Sequence, residues 1–360
     1  MHHRPLRYSF CLVLVCALGF ATPPASQKRR NTEPKSEVAP LPKELPKALA
    51  AETGTLEFHS LPLLTTGGLA AQIRQSVNIL LRETKNETVI KLRAFVAGPG
   101  DARRVQATVS NVFGDHKLPL PVVSIVQVGA LQDDRAQVAM EATVSTKKQA
   151  NPNGLVFLGG QTNSTLAGAV AKLQESARAA GADHILRCTC FTSRLDGQGE
   201  SLRKTLESAF PGAALTLVQA LRDPPDDSAT CEAIGQLPPT ASHRSSPLTL
   251  LPEARAMIVH SDRLVFTGLQ LTFGNYLDDA QQAFERLRQA VAAVETVEAP
   301  VQVNAFSPDP STMAALRKMT HVPLSVFTLQ PVEGLPGVDA SAGVEEVLAP
   351  GIAAPVIAGR

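Results

Sequence analysis

Tryptophan is absent from the 360 residues, and aromatic side chains make up only 4% of them. A stacking platform for sugars or nucleobases is therefore not expected. Charge of one sign is also missing: Lys and Arg number 34 against 33 Asp and Glu, a formal charge of +1. Such a chain offers no basic stripe for nucleic acid and no cationic face for an acidic membrane. Cysteine is scarce, with five in all. Two of these, Cys11 and Cys16, fall in an N-terminal apolar run. The remaining three, Cys188, Cys190 and Cys231, are too few for a disulfide framework. Cys188 and Cys190 share one strand face. Either one pairs with Cys231 if their strands are neighbours, or all stay buried thiols. A metal site is not expected, because Cys-x-Cys lacks a nearby His pair and the eight His residues show no ligand spacing. No cofactor motif appears, since Gly159-Gly160-Gln161 lacks the Lys-Ser/Thr of a phosphate loop.

Long apolar runs are rare too. Residues 10–20 form one of about a dozen residues, short of the ~20 that span a bilayer. It follows a basic start and precedes a small residue, Ala21, and two prolines. Residues 1–25 therefore read as a secretory signal peptide, and the chain as exported to the periplasm or beyond. Bulky Val13, Leu14 and Val15 before Cys16 argue against a lipid anchor, so no membrane insertion is expected after cleavage. Residues 26–54, rich in Pro, Lys, Glu and Ala, read as a disordered tether.

What is present is a repeated order of elements. Residues 155–158 form a short apolar strand, broken at Gly159-Gly160. A helix follows over 166–180, with Leu166, Val170, Leu173 and Ala177 at helical spacing and Gly181 as its cap. A strand over 185–192, a helix over 200–210 stopped by Pro211, and strands over 214–221 and 230–234 complete the unit. The same order recurs before it: strand 56–64, helix 70–84, strand 89–96, helix 102–113, strands 122–128 and 136–144. It recurs after it as a hairpin-like pair over 255–260 and 263–267, helix 278–294, strand 301–306, and helix 311–319 with a Ser311 cap. Strands over 324–329 and 345–348 close that copy. The fold class expected is α+β in three modules, 55–150, 151–236 and 251–350, with a linker at 237–250 and a tail at 351–360.

The central copy resembles the RidA family, also called YjgF or endoribonuclease L-PSP. The resemblance is carried by Gly154-Leu-Val-Phe-Leu-Gly-Gly-Gln161, by Ala179-Ala-Gly-Ala-Asp183, by residues 187–191, by Phe210-Pro211 through Leu221, and by Cys231-Glu232-Ala233-Ile234. The first copy echoes it through Lys91-Leu-Arg-Ala-Phe-Val96 and Met140-Glu141-Ala142, and the third through Leu264-Val-Phe-Thr-Gly268. The resemblance implies chorismate mutase-like modules. It also implies an intramolecular pseudo-trimer around a central β-barrel, monomeric as a chain, with ligand clefts between modules.

The family's activity, enamine and imine hydrolysis, implies an Arg that grips the substrate carboxylate two residues after the Pro of the third strand. Here those positions hold Val123, Ala213 and Ser325. The family's acid on the closing strand falls on Ala139 and Thr230, with Glu345 as the third copy's choice, and the cleft Asn on Gln106 and Arg203. No catalytic residue is therefore assigned. The candidate cleft residues are Gly159, Gly160, Gln161, Arg203, Gln106 and Glu345. The expectation is an exported RidA-like protein without catalysis whose clefts take a small metabolite. The alternatives are a deaminase with a rearranged site and an envelope interaction scaffold.

Overall fold

The computed structural model describes residues 48–52, 56–98, 102–145, 154–238, 256–260, 264–273, 276–292, 298–319 and 326–350. The signal-peptide reading over 1–25 and the tail at 351–360 lie outside them. In chain order the elements are β1 (Ala48–Glu52), β2 (Leu56–Ser60), α1 (Leu69–Glu83), β3 (Thr88–Ala97), α2 (Ala102–Asp115), β4 (Val122–Val128) and β5 (Val138–Ser145). There follow β6 (Gly154–Asn163), α3 (Leu166–Ala179), β7 (His184–Thr192), α4 (Gly199–Ala209), β8 (Ala214–Gln219) and β9 (Ala229–Gln236). The last stretch holds β10 (Ala256–His260), β11 (Val265–Phe266), β12 (Gln270–Phe273), α5 (Tyr276–Ala292), β13 (Glu298–Ser307), α6 (Pro310–Met319), β14 (Phe327–Pro331) and β15 (Ala340–Pro350).

Local chemistry sets these boundaries. The α1 stripe of Ile73, Val77, Leu80 and Leu81 is fully buried, as its three- and four-residue spacing predicts. Thr165 caps α3 by accepting the Gly168 N–H at 3.1 Å. Gly181 ends that helix at φ +71°, and the Ala182 N–H reaches back to the Ala177 carbonyl. At α6 the cap is Asp309, whose carboxylate accepts the Thr312 N–H at 2.6 Å, rather than Ser311. Pro310, with no N–H to satisfy, opens the helix instead.

The strands form three sheets, in the orders β2-β5-β3-β4, β1-β10-β6-β9-β7-β8 and β11-β15-β13-β14, with β12 also on β15. One pairing logic runs through all three. The strand between the two helices lies parallel to the strand after them and antiparallel to the closing strand. Each such middle strand is also bulged one residue before a polar side chain: Lys91, Arg187 or Gln302. The helices cover one face of each sheet and build three separate apolar cores. The other faces meet one another. Phe95, Phe191 and Phe306, one from each sheet, pack edge to face with centroids 5.6 and 6.3 Å apart.

Several expectations need correction. No strand ladder joins one sheet to the next, so the expected central β-barrel is not closed. Residues 255–260 and 263–267 do not pair as a hairpin: β10 runs antiparallel to β6 in the second sheet, whereas β11 joins β15 in the third. The free edge of β6 takes β10, because β9 already occupies its other edge. Within the stretch read as a tether, residues 48–52 form a strand parallel to β10.

Candidate functional site

Two places bring polar groups together, and size separates them. The first lies where the three sheets meet. Strand alternation aims every second side chain of each middle strand at this junction: Lys91, Arg93 and Phe95 on β3, Arg187, Thr189 and Phe191 on β7, Gln302, Asn304 and Phe306 on β13. The closing strands put Glu141, Glu232 and Glu345 directly opposite Arg93, Thr189 and Asn304. Arg93 bonds Glu141 at 2.8 Å within its own sheet and Glu232 of the second sheet at 3.0 Å. Lys91 reaches the same Glu232 at 2.7 Å. Arg187 and Thr216 both contact Glu345 of the third sheet, and Asn304 bonds it at 2.9 Å. Burial alone would raise the Glu232 pKa, but the charges of Arg93 and Lys91 hold it well below the usual carboxylate range. Burial lowers Lys91 to about 8, against the pull of Glu232. The opening among these groups measures only about 30 Å³, room for a water or two and not for a metabolite.

The second place is a groove of about 430 Å³ between the second and third sheets, within the size range of small-molecule sites. Its walls are α4, the β8 edge, residues 268–271 and Pro336. Main-chain bonds fix the two sides: the Leu269 N–H donates to the Leu215 carbonyl at 3.0 Å, and Gln219 exchanges bonds with Glu333 and Gly334. Close approach requires glycine at 268, where a Cβ would meet the Leu215 backbone at 3.2 Å. Leu206, Phe210, Leu215, Leu269 and Leu271 supply its apolar part, and polar atoms supply slightly more than half of its surface. Its charged members are Arg203 and Glu207, which pair with each other at 2.9 Å on the exposed face of α4.

Arg203 and Ala213 thus meet in this groove, and Leu215 stands beside them. The other residues chosen from sequence do not join it. Gln106 is exposed on α2, and Val123 is half-buried against the first core. Ser325 lies outside the described residues. Gly159, Gly160 and Gln161 sit where β4 closes over β6: a Cβ on Gly160 would meet Ser124 Cα at 3.1 Å, and Gln161 is buried, bonding the Gly159 carbonyl at 2.9 Å. Glu345 is fully buried in the central polar layer. Its register opposite Asn304 aligns it with Glu141 and Glu232, while Gly343, opposite Phe306, takes the place of Ala139 and Thr230.

Sequence reasoning passed over Lys91, Arg93 and Arg187. The visible signal was their alternation within strands that are otherwise apolar, where a charge facing a core must find a partner. Among the described residues no three His, Cys, Asp or Glu side chains converge as a metal site.

No known family pattern and no curated protein sequence matches the chain. Among solved structures it is similar to a chorismatase, with 11% identity and a TM-score of 0.47 over 84% of this chain and 99% of that one. It is similar to the cyanuric acid hydrolase of A. caulinodans at 9% identity and a TM-score of 0.39, over 83% of this chain and 99% of that one. It is similar to the YjgF gene product of E. coli at 23% identity and a TM-score of 0.24, over 29% of this chain and 99% of that one. Likenesses with TM-scores this low carry no argument about activity.

Proposed function

We propose that this chain is an exported, divergent RidA-like protein of three fused units that binds a small molecule without hydrolysing it. The units follow the boundaries 55–150, 151–236 and 251–350, with β10 lent to the middle sheet. The groove between the second and third sheets is the binding site. One observation carries the reading: the groove wall presents Ala213 where the resemblance asks for a carboxylate-gripping Arg, and the cation in its lining, Arg203, is paired with Glu207 on the exposed face of α4. The volume and the mixture of apolar side chains with polar atoms suit a small, largely uncharged metabolite. The shared strand order and the matching bulges support three related units. Export is supported by the N-terminal pattern and by the Cys190–Cys231 disulfide, a bond that persists in oxidising compartments.

The test pairs an imine-hydrolysis assay with calorimetry on the chain freed of residues 1–25. No acceleration over buffer, together with saturable binding of a small apolar probe, is expected. Turnover abolished by Arg203→Ala would overturn the proposal in favour of a rebuilt hydrolase. A second variant, Ala213→Arg, is expected to create binding of a 2-oxo acid that the parent lacks.

A further inference from the structure

We infer that the groove selects a neutral amide, a ligand offering one N–H and one C=O side by side, and not a carboxylate. This rests on the groove being the binding site. The argument starts from the hydrogen-bond parity of β8. In a strand, the N–H and C=O of one residue point to the same side, and the sides alternate along the chain. The even residues of β8 turn toward β7, as the continuing bond from the Ala220 N–H to the Thr192 carbonyl shows. The odd residues therefore face outward, toward the third sheet.

One of those three is fully engaged and another through its carbonyl. The Leu215 carbonyl accepts from Leu269 at 3.0 Å, and Gln219 uses both its groups, donating to Gly334 at 2.9 Å and accepting from Glu333 at 2.8 Å. Between them stands Leu217, which lines the groove and is only 4% exposed. Neither its N–H nor its C=O joins the main-chain bonds that tie this edge to the third sheet. Buried main-chain groups are almost always paired, so this donor and acceptor call for a partner that the third sheet does not supply. The groove opens at the gap between the two paired residues.

The chemistry of the partner follows. It must accept from the Leu217 N–H and donate to the Leu217 C=O at adjacent points, as the edge of a primary amide, lactam or imide does. A carboxylate accepts at both points and would set a negative charge against the Leu217 carbonyl. A ketone satisfies the N–H alone. Arg203 is paired with Glu207 at 2.9 Å and does not stand free to offset a carboxylate. The remainder of the ligand packs on Leu206, Phe210, Leu269 and Leu271, so an apolar body of a few carbons is required.

The experiment is calorimetric titration of the full secreted chain with three probes sharing one isobutyl-type body: 4-methylpentanamide, 4-methylpentanoate and 4-methylpentan-2-one. The amide is expected to bind about tenfold more tightly than either companion, in line with one additional satisfied hydrogen bond. The amide nitrogen of Leu217 should shift in the NMR spectrum on amide addition, and Ala213→Leu, which fills the groove, should abolish both effects. Equal affinity for all three, or tighter binding of the carboxylate, overturns the inference and leaves the groove as a binding site. Binding of none of the three overturns the groove itself.

Discussion

Glu232 is the residue on which two sheets depend. It accepts from Lys91 and Arg93 across the boundary between the first and second sheets, and all three side chains are buried. Removing the carboxylate would leave two cations in a dry site without their counter-charge. Glu232→Ala is therefore expected to cost about 3–5 kcal/mol in a urea denaturation series. Glu346 faces away from this layer, and burial raises its pKa to about 7. Its folded pKa lies above the unfolded value, so the folded state holds the extra proton between about 4.5 and 7. Stability from this group is present at low pH and is lost as pH rises through that window. Glu346→Gln should remove that decline, raising stability at pH 8 by on the order of 2 kcal/mol while leaving pH 4 unchanged. Unfolding midpoints across that pH range check the sign.

At the scale of elements, the sequence was most legible where periodicity and capping coincide. The α3 helix is an example: its apolar spacing, the Thr165 cap and Gly181 all speak locally. The groove was half legible. Counting from Pro211 located Ala213, and Arg203 was singled out, yet nothing local says that residues 268–271 come to face them. That contact depends on a main-chain bond between residues 54 apart in number, Leu215 and Leu269. Glu345 was misplaced because a closing strand read in isolation has no register; its partner Asn304 supplies one. The fate of β10 was hidden for the same reason, since strand pairing between distant segments leaves no periodic trace.

The cysteines follow suit. Cys190 and Cys231 stand directly opposite on β7 and β9 and are bonded, while Cys188 is a buried free thiol whose pKa burial pushes up. The bond closes a loop with a sequence separation of 41. A Cys190→Ala/Cys231→Ala double variant is expected to lose about 2–4 kcal/mol, read from chemical denaturation with and without reductant. At the facing edge, Gly268→Ala should push the third sheet off Leu215 and weaken small-molecule binding before it lowers the unfolding midpoint of the whole chain.

For the whole molecule, main-chain and side-chain bonds link each sheet to the next: Gly129 to Ala220, Gln219 to Gly334, and Gln330 to Ala130. Every sheet therefore has both of its neighbours within the same chain. On the proposed reading of three fused units, sedimentation equilibrium of the chain freed of residues 1–25 should return the mass of one chain, and a mass of three would contradict it.

The buried layer carries a further consequence for that stoichiometry. The first sheet brings Lys91 and Arg93 against Glu141, a surplus of one positive charge. The second brings Arg187 and Glu232 and is even, and the third brings Glu345 with neutral Gln302 and Asn304, a deficit of one. With each present once the three sum to zero. A ring of three first units would trap three uncompensated cations in its dry centre, and a ring of three third units would trap three anions. Neutrality at the centre thus acts as a counting rule. It admits one of each and rejects the substitution of a first or third unit by its sibling.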